Sequence, residues 1–202
     1  MRSETSRPTV LLFDLGGVLV ESVGYERFNA LLPAPIDREE LKTQWLRSPA
    51  VRAFETGSCS AEAFAAAVVA EYRLPLCPEE FLQAFTTWPQ GFYPGAEELL
   101  AQLRSRYKVA CLSNSNAIHW QRFGGFADHF HISMSSHLLG IVKPDAACFA
   151  RALRECDVEA KDTAFFDDSI TNVEAARKFG LRTFHVNGLE EVRQALASEG
   201  WL

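Results

Sequence analysis

Apolar residues are gathered in short unbroken runs at distant points of the chain, and each run gives way to polar residues. Val10-Leu11-Leu12-Phe13 leads into Asp14-Leu15-Gly16-Gly17, Val109-Ala110-Cys111-Leu112 into Ser113-Asn114, and Thr163-Ala164-Phe165-Phe166 into Asp167-Asp168. Runs this short and this apolar read as strands buried on both faces, as in parallel sheets. From Tyr93-Pro94-Gly95 onward, strands and helices alternate. A helix at about 95–105 precedes a strand at 108–112, then come a helix near 117–123, a short strand near 131–134 and a helix near 145–155. A strand at 163–166, a helix from about 170 to Gly180, a strand at 182–186 and a last helix complete the series. With a first strand at about 9–13, the alternation predicts an α/β fold whose parallel sheet is covered by helices on both faces.

Between about residues 22 and 92 the strand signal vanishes and helical periodicity replaces it. Asp37-Arg38-Glu39-Glu40 through Trp45-Leu46 reads as one helix. Ser60 followed by Glu62 starts another, with Phe64, Val68 and Tyr72 on one face, and Pro78-Glu79-Glu80 opens a third. This predicts a small helical bundle inserted after the first strand. Ligands of an open parallel sheet gather beyond the carboxyl ends of its strands, so the residues that end the runs meet in one crevice. The loop Gly140-Ile141-Val142-Lys143-Pro144 brings a lysine to the same end.

The chain's 202 residues, 48% of them hydrophobic, suffice for one packed domain carrying a small insertion. Twenty basic against 26 acidic residues give a formal charge of −6 with no run of Lys or Arg, which argues against nucleic acid and anionic membrane as partners. The five cysteines show no CxxC spacing and read as reduced thiols of a cytoplasmic protein. The polar start, Met1 to Pro8, and the short apolar stretch broken by Asp14 carry no signal-peptide or anchor pattern.

Four segments together carry a resemblance: Phe13-Asp14-Leu15-Gly16-Gly17-Val18-Leu19, Leu112-Ser113-Asn114, Val142-Lys143-Pro144, and Phe166-Asp167-Asp168-Ser169 through Asn172. In this order and at these positions they resemble the motifs of the haloacid dehalogenase-like hydrolases, over nearly the whole chain. The pattern is most similar to small-cap phosphatases whose last motif holds an adjacent acidic pair. The resemblance implies a Rossmann-like core, residues 1–20 and 93–202, and an α-helical cap, residues 21–92.

A carboxylate at a strand end can attack phosphorus and form an aspartyl-phosphate that water then hydrolyses, and Asp14 is the candidate nucleophile. Its approach to a phosphate dianion requires a cation such as Mg²⁺ on oxygen ligands, for which Asp14 and Asp168 are direct candidates. Asp167 is a ligand or an outer partner, and Asn172 lies one helical turn on, placed to orient a bound water. Lys143, Ser113 and neighbouring backbone N–H groups are placed to hold the phosphoryl oxygens, with Asn114 sharing that task.

One position departs from the family. Most phosphatases it resembles carry a second aspartate two residues after the nucleophile, which protonates the leaving oxygen and then activates water. Here that residue is Gly16, which keeps only a backbone carbonyl for the metal. General acid–base assistance is worth about 10²–10⁴-fold, so its loss predicts a preference for good leaving groups such as anomeric sugar phosphates, or a proton relay through solvent or substrate. The cap offers Trp45, Arg47, Arg52, Phe54 and Glu55 as groups that could face the cleft. His129 and His131 lie two apart without a third metal ligand nearby, and His119 lies near Asn114 and Asn116.

The expected activity is therefore Mg²⁺-dependent hydrolysis of a small phosphorylated metabolite, by a monomer or homodimer. Two other readings compete. In 2-haloacid dehalogenation an aspartate displaces halide from carbon without a metal, and Asp167-Asp168 would repel its carboxylate substrate. The other is a noncatalytic phosphate-binding module.

Overall fold

The structure, a computed structural model, describes residues 7–122 and 126–202. The N-terminal segment before Arg7 and the last position of the helix expected near 117–123 lie outside the described residues. In chain order the first elements are β1 (Val10–Phe13), β2 (Val20–Ser22), α1 (Gly24–Asn29), α2 (Arg38–Arg47), α3 (Pro49–Glu55), α4 (Ala61–Tyr72), α5 (Pro78–Thr86) and β3 (Pro89–Phe92). There follow α6 (Ala96–Arg104), β4 (Lys108–Ser113), α7 (Ala117–Arg122), β5 (Ile132–Ser135), α8 (Ser136–Leu139) and α9 (Ala146–Cys156). The series ends with β6 (Thr163–Asp167), α10 (Ile170–Phe179), β7 (Arg182–His185) and α11 (Gly188–Ser198).

Five strands form a parallel sheet in the order β5-β4-β1-β6-β7. The apolar runs form its centre because alternate residues point to opposite faces and both faces are covered. Leu11, Phe13, Val109, Cys111 and Phe166 pack with Leu99, Leu100 and Leu103 of α6 and Val192 and Leu196 of α11. Val10, Leu12, Ala110, Leu112 and Phe165 pack with Cys148, Phe149 and Ala152 of α9 and Ala176 of α10. The result is a Rossmann-like α/β core, as expected.

Helices α1–α5 share a separate, largely aromatic core containing Phe28, Trp45, Phe54, Phe64, Phe81, Phe85 and Trp88. Their starts follow ordinary capping chemistry: Asp37 accepts from the N–H groups of Glu39 and Glu40, and Ser60 from that of Ala63. Phe28 is fully buried, with its ring edge-on to those of Trp45, Tyr72, Phe81 and Trp88.

Some features escaped the sequence pattern. Helices α1, α3 and α8 span only 6, 7 and 4 residues, too short for periodicity to register. The ribbon of β2 and β3 pairs Val20 with Phe92 and Glu21 with Gly91, joining the two chain segments that connect the helices to the sheet. Pro89 and Gly91 disguise β3, and its partner lies some seventy residues away. No helix among the described residues is long and apolar enough to cross a membrane.

Replacing Phe28 by Ala removes the ring at the centre of the helical core, and urea unfolding should show a loss of about 3–5 kcal/mol.

Candidate active site

The strand ends meet as the topology requires. The Asp14 N–H donates to the Phe166 carbonyl (2.8 Å), which ties the end of β1 to that of β6. The chain then turns at Gly17, whose φ is +76°. A Cβ there would lie 2.6 Å from Asp168 Oδ2, so both conformation and proximity require glycine. Gly16 is different: a Cβ would meet nothing within 4 Å.

Three carboxylates, of Asp14, Asp167 and Asp168, are buried there, each offering an oxygen within 4.8 Å of the others. Two buried ammonium groups oppose them. Lys143 Nζ lies 3.0 Å from Asp14 Oδ1 and 2.7 Å from Asp167 Oδ2. Lys42, from α2, reaches Asp168 Oδ2 and the Asp168 carbonyl oxygen, each at 2.8 Å, and Glu39 Oε1 at 3.0 Å. Burial raises the Asp14 carboxyl to about 7, Lys143 opposing and Asp167 and Asp168 adding to the rise. Asp168 is raised for the same reason, with Lys42 opposing. Burial alone would lower both lysines, but the carboxylates beside them outweigh it and hold both above their usual value.

The expected site residues come together, in roles that the geometry sharpens. Ser113 is buried and lines the same cavity as Asp14 and Lys143. Asn114 lines the same cavity, and its Oδ1 accepts from the Lys143 N–H (2.8 Å) while its Nδ2 donates to the Lys143 carbonyl (2.9 Å), so the amide fixes the lysine's backbone. Asn172 Nδ2 donates to both oxygens of Asp167 (3.1 and 3.2 Å), and the Ser169 N–H donates to Asp167 Oδ1 (2.8 Å).

The site opens into a cavity of about 610 Å³ walled by Tyr25, Trp45, Phe85, Trp88, Phe92 and Trp120. Trp45 and Glu55 face it. Arg47 and Arg52 border a separate recess, and Phe54 stacks on Phe64 in the helical core. His119 lines the cavity with both ring nitrogens engaged. Its Nε2 donates to the Phe85 carbonyl (2.8 Å), and its Nδ1 accepts from Asn116 Nδ2 (3.2 Å). His129 pairs with Glu97, and His131 Nδ1 accepts from the Val109 N–H.

The sequence signature of the haloacid dehalogenase-like hydrolases matches residues 8–180. The chain belongs to this family. Among relatives, Phosphatase MT3486 of Mycobacterium tuberculosis is 28% identical over 120 residues, which span 57% of this chain and 55% of the relative's length. A HAD family enzyme of Bacteroides thetaiotaomicron, solved as its magnesium complex, has a TM-score of 0.69 at 23% identity, covering 90% of this chain and 94% of its own. The L-2-haloacid dehalogenase of Xanthobacter autotrophicus, solved with chloropropionic acid covalently bound, has a TM-score of 0.61 at 20% identity, covering 95% and 83%.

This hydrolase's acidic centre fits a divalent cation. Its carboxylate oxygens are hard ligands, and three buried carboxylates outnumber two lysines. The buried Asn172 Oδ1, beside Asp167, has no hydrogen-bond partner among the described residues. Lys42 is the residue that periodicity missed. It sits one position from the buried Leu41, on the edge of the apolar stripe of α2, where a lysine reads as surface.

Two tests follow from this geometry. Gly17→Ala should lower stability by about 1–2 kcal/mol through its left-handed backbone and displace Asp168, seen as weaker Mg²⁺ binding by calorimetry. The second concerns His119, whose imidazole burial lowers from 6.5 to about 4. The folded state then binds fewer protons than the unfolded between those values, so this group's contribution is present above pH 6.5 and lost as pH falls toward 4. That amounts to at most about 3 kcal/mol. Asp14 and Glu55, raised to about 7, act with the opposite sign, favouring the fold at low pH. The urea stability of wild type minus that of His119→Gln should therefore shrink from pH 7 to pH 4.5.

Proposed function

We infer that this hydrolase is a Mg²⁺-dependent phosphomonoester phosphatase of small phosphorylated metabolites, sugar phosphates among them, acting through an aspartyl-phosphate. The observation that carries this reading is the buried array of Asp14, Asp167 and Asp168 beside Lys143, opening on a cavity of about 610 Å³. Residues 1–20 and 93–202 act as the catalytic core, and residues 21–92 as the cap.

Asp14, the Gly16 carbonyl and Asp168 would hold Mg²⁺, with Asp167 and Asn172 beside them. The cation would offset the charge of the phosphate and favour the ionised carboxylates. Asp14 attacks phosphorus, and the bond to the leaving oxygen breaks. Lys143, 3.0 Å from Asp14 Oδ1, steadies the nucleophile and faces the incoming phosphoryl charge. The Ser113 hydroxyl and the backbone N–H groups after it donate to the remaining phosphoryl oxygens, while Asn114 keeps Lys143 in place. Water then opens the aspartyl-phosphate. The aromatic walls stack against the ring or apolar face of the organic part, and the helices above exclude water. Five unpaired cysteines agree with a reducing, cytoplasmic setting. Action as a monomer or homodimer on a free metabolite completes the reading.

Metal-free displacement of halide is disfavoured by three converging carboxylates, which would repel a haloacid.

Phosphate release from sugar 1-phosphates, sugar 6-phosphates and p-nitrophenyl phosphate, with Mg²⁺ and with chelator, tests the proposal. Release should require the metal and fall to background in Asp14→Asn. No release from any ester, together with halide release from 2-chloropropionate, would overturn it.

A further inference from the structure

Hydrolysis by an aspartyl-phosphate needs a proton for the leaving oxygen and a base for the attacking water, and Gly16 has no side chain to supply either. The groups lining the cavity differ in how free they are to do so. Lys143 is held by two carboxylates, and Lys42 by two carboxylates and a carbonyl. The proton on His119 Nε2 is bound to the Phe85 carbonyl. Burial, with Asp168 and Glu55 nearby, pushes the Tyr25 phenol well above its usual value, making it a reluctant donor.

Glu55 stands apart. It is the last residue of α3, 9% exposed, and lines the same cavity as Asp14, Ser113 and Lys143. One oxygen, Oε1, accepts from Trp45 Nε1 at 3.4 Å, and Oε2 has no partner among the described residues. The helix that carries it is docked on the catalytic loops at two points. Arg52 Nη2 lies 2.6 Å from Asp145 Oδ2, two residues beyond Lys143. Just past Glu55 the chain turns at Gly57 (φ +71°), where a Cβ would sit 2.9 Å from the His137 carbonyl oxygen. The carboxyl is thus anchored at one oxygen, open at the other, and buried over the site.

We propose that Glu55 is the general acid and base of this enzyme, supplied by the cap in place of the side chain missing at Gly16. The inference rests on the phosphatase reading. As an Asp14 oxygen bonds to phosphorus, the bond to the leaving oxygen breaks with its electron pair on that oxygen, which takes the proton of Glu55. Glu55, now a carboxylate, accepts a proton from the attacking water. The hydroxyl bonds to phosphorus, the acyl-phosphate bond breaks with its pair returning to Asp14, and hydrogen phosphate leaves with Glu55 again protonated. Burial raises the Glu55 carboxyl from 4.5 to about 7. The Trp45 hydrogen bond, Lys143 and Arg52 oppose the rise and Asp14 adds to it. A group so poised serves both half-reactions near neutrality. A Cβ at Gly16 would meet nothing within 4 Å, so the backbone there accepts a side chain.

The test compares two esters on the same Mg²⁺-loaded enzyme: p-nitrophenyl phosphate, whose phenolate leaves without a proton, and 2-phenylethyl phosphate, whose alkoxide requires one. In Glu55→Gln, the ratio of kcat/KM for the two should shift by about 10²–10⁴-fold toward the nitrophenyl ester. Loss of the base should make aspartyl-phosphate hydrolysis limiting, seen as a burst of nitrophenolate. Adding Gly16→Asp to Glu55→Gln should restore turnover of the phenylethyl ester. A misfolded fraction cancels in the ratio, so an unshifted ratio or an absent rescue overturns the role of Glu55 while leaving the phosphatase intact. If wild type releases no phosphate from either ester, both readings fall.

Discussion

Three carboxylates buried within one small volume repel one another, and the fold holds them together by bringing two lysines from different parts of the chain. Lys143 bridges Asp14 and Asp167, and Lys42 grips Asp168 by its carboxylate and its carbonyl. Removing one partner of such a buried set typically costs about 3–5 kcal/mol, because it leaves an uncompensated charge. Lys143 belongs to a loop of the sheet layer, but Lys42 belongs to a helix of the inserted bundle. The charge set is complete only with the bundle seated on the strand ends, so the electrostatics of the site and the placement of the helices are one problem. Even then burial, with a smaller contribution from the neighbouring carboxylates, keeps the Asp14 and Asp168 carboxyls above their usual value.

The cavity above this centre carries the opposite chemistry. Its walls are aromatic, and burial there drives titratable groups toward neutrality from both sides: His119 falls to about 4, and Glu55 rises to about 7. The buried charges are concentrated at the strand ends, while Arg38, Glu97 and Arg122 line the same cavity farther out. His119 closes its hydrogen bonds within the protein and so serves the wall. Glu55 leaves an oxygen open toward the cavity, where it is available for chemistry.

Support for the charged side chains of the site comes from neighbouring amides, hydroxyls and backbone groups. Asn114 clamps the backbone of Lys143 at both N–H and carbonyl, and Ser136 Oγ does the same for the next residue, Ser115, accepting from its N–H and donating to its carbonyl. Asn172 and the Ser169 N–H orient Asp167. These bonds fix the backbone of the Lys143 loop and the carboxylate of Asp167.

Much of this was legible in the sequence because it is written locally. The strands appear as apolar runs, the helices α4 and α6 as periodic ones, and Asp14, Ser113, Asp167 and Asp168 stand where the runs end. Parallel pairing then requires those ends to meet. Three things were not local. The β2–β3 ribbon depends on pairing across some seventy residues. The inward course of Lys42 depends on an acid 126 positions away, and the aim of Glu55 on how α3 docks against the loops at Asp145 and His137. A lysine or glutamate beside an apolar stripe can turn toward solvent or toward a buried partner. Its own neighbours in sequence leave both open, and only the charge or cavity brought opposite by the tertiary fold decides between them.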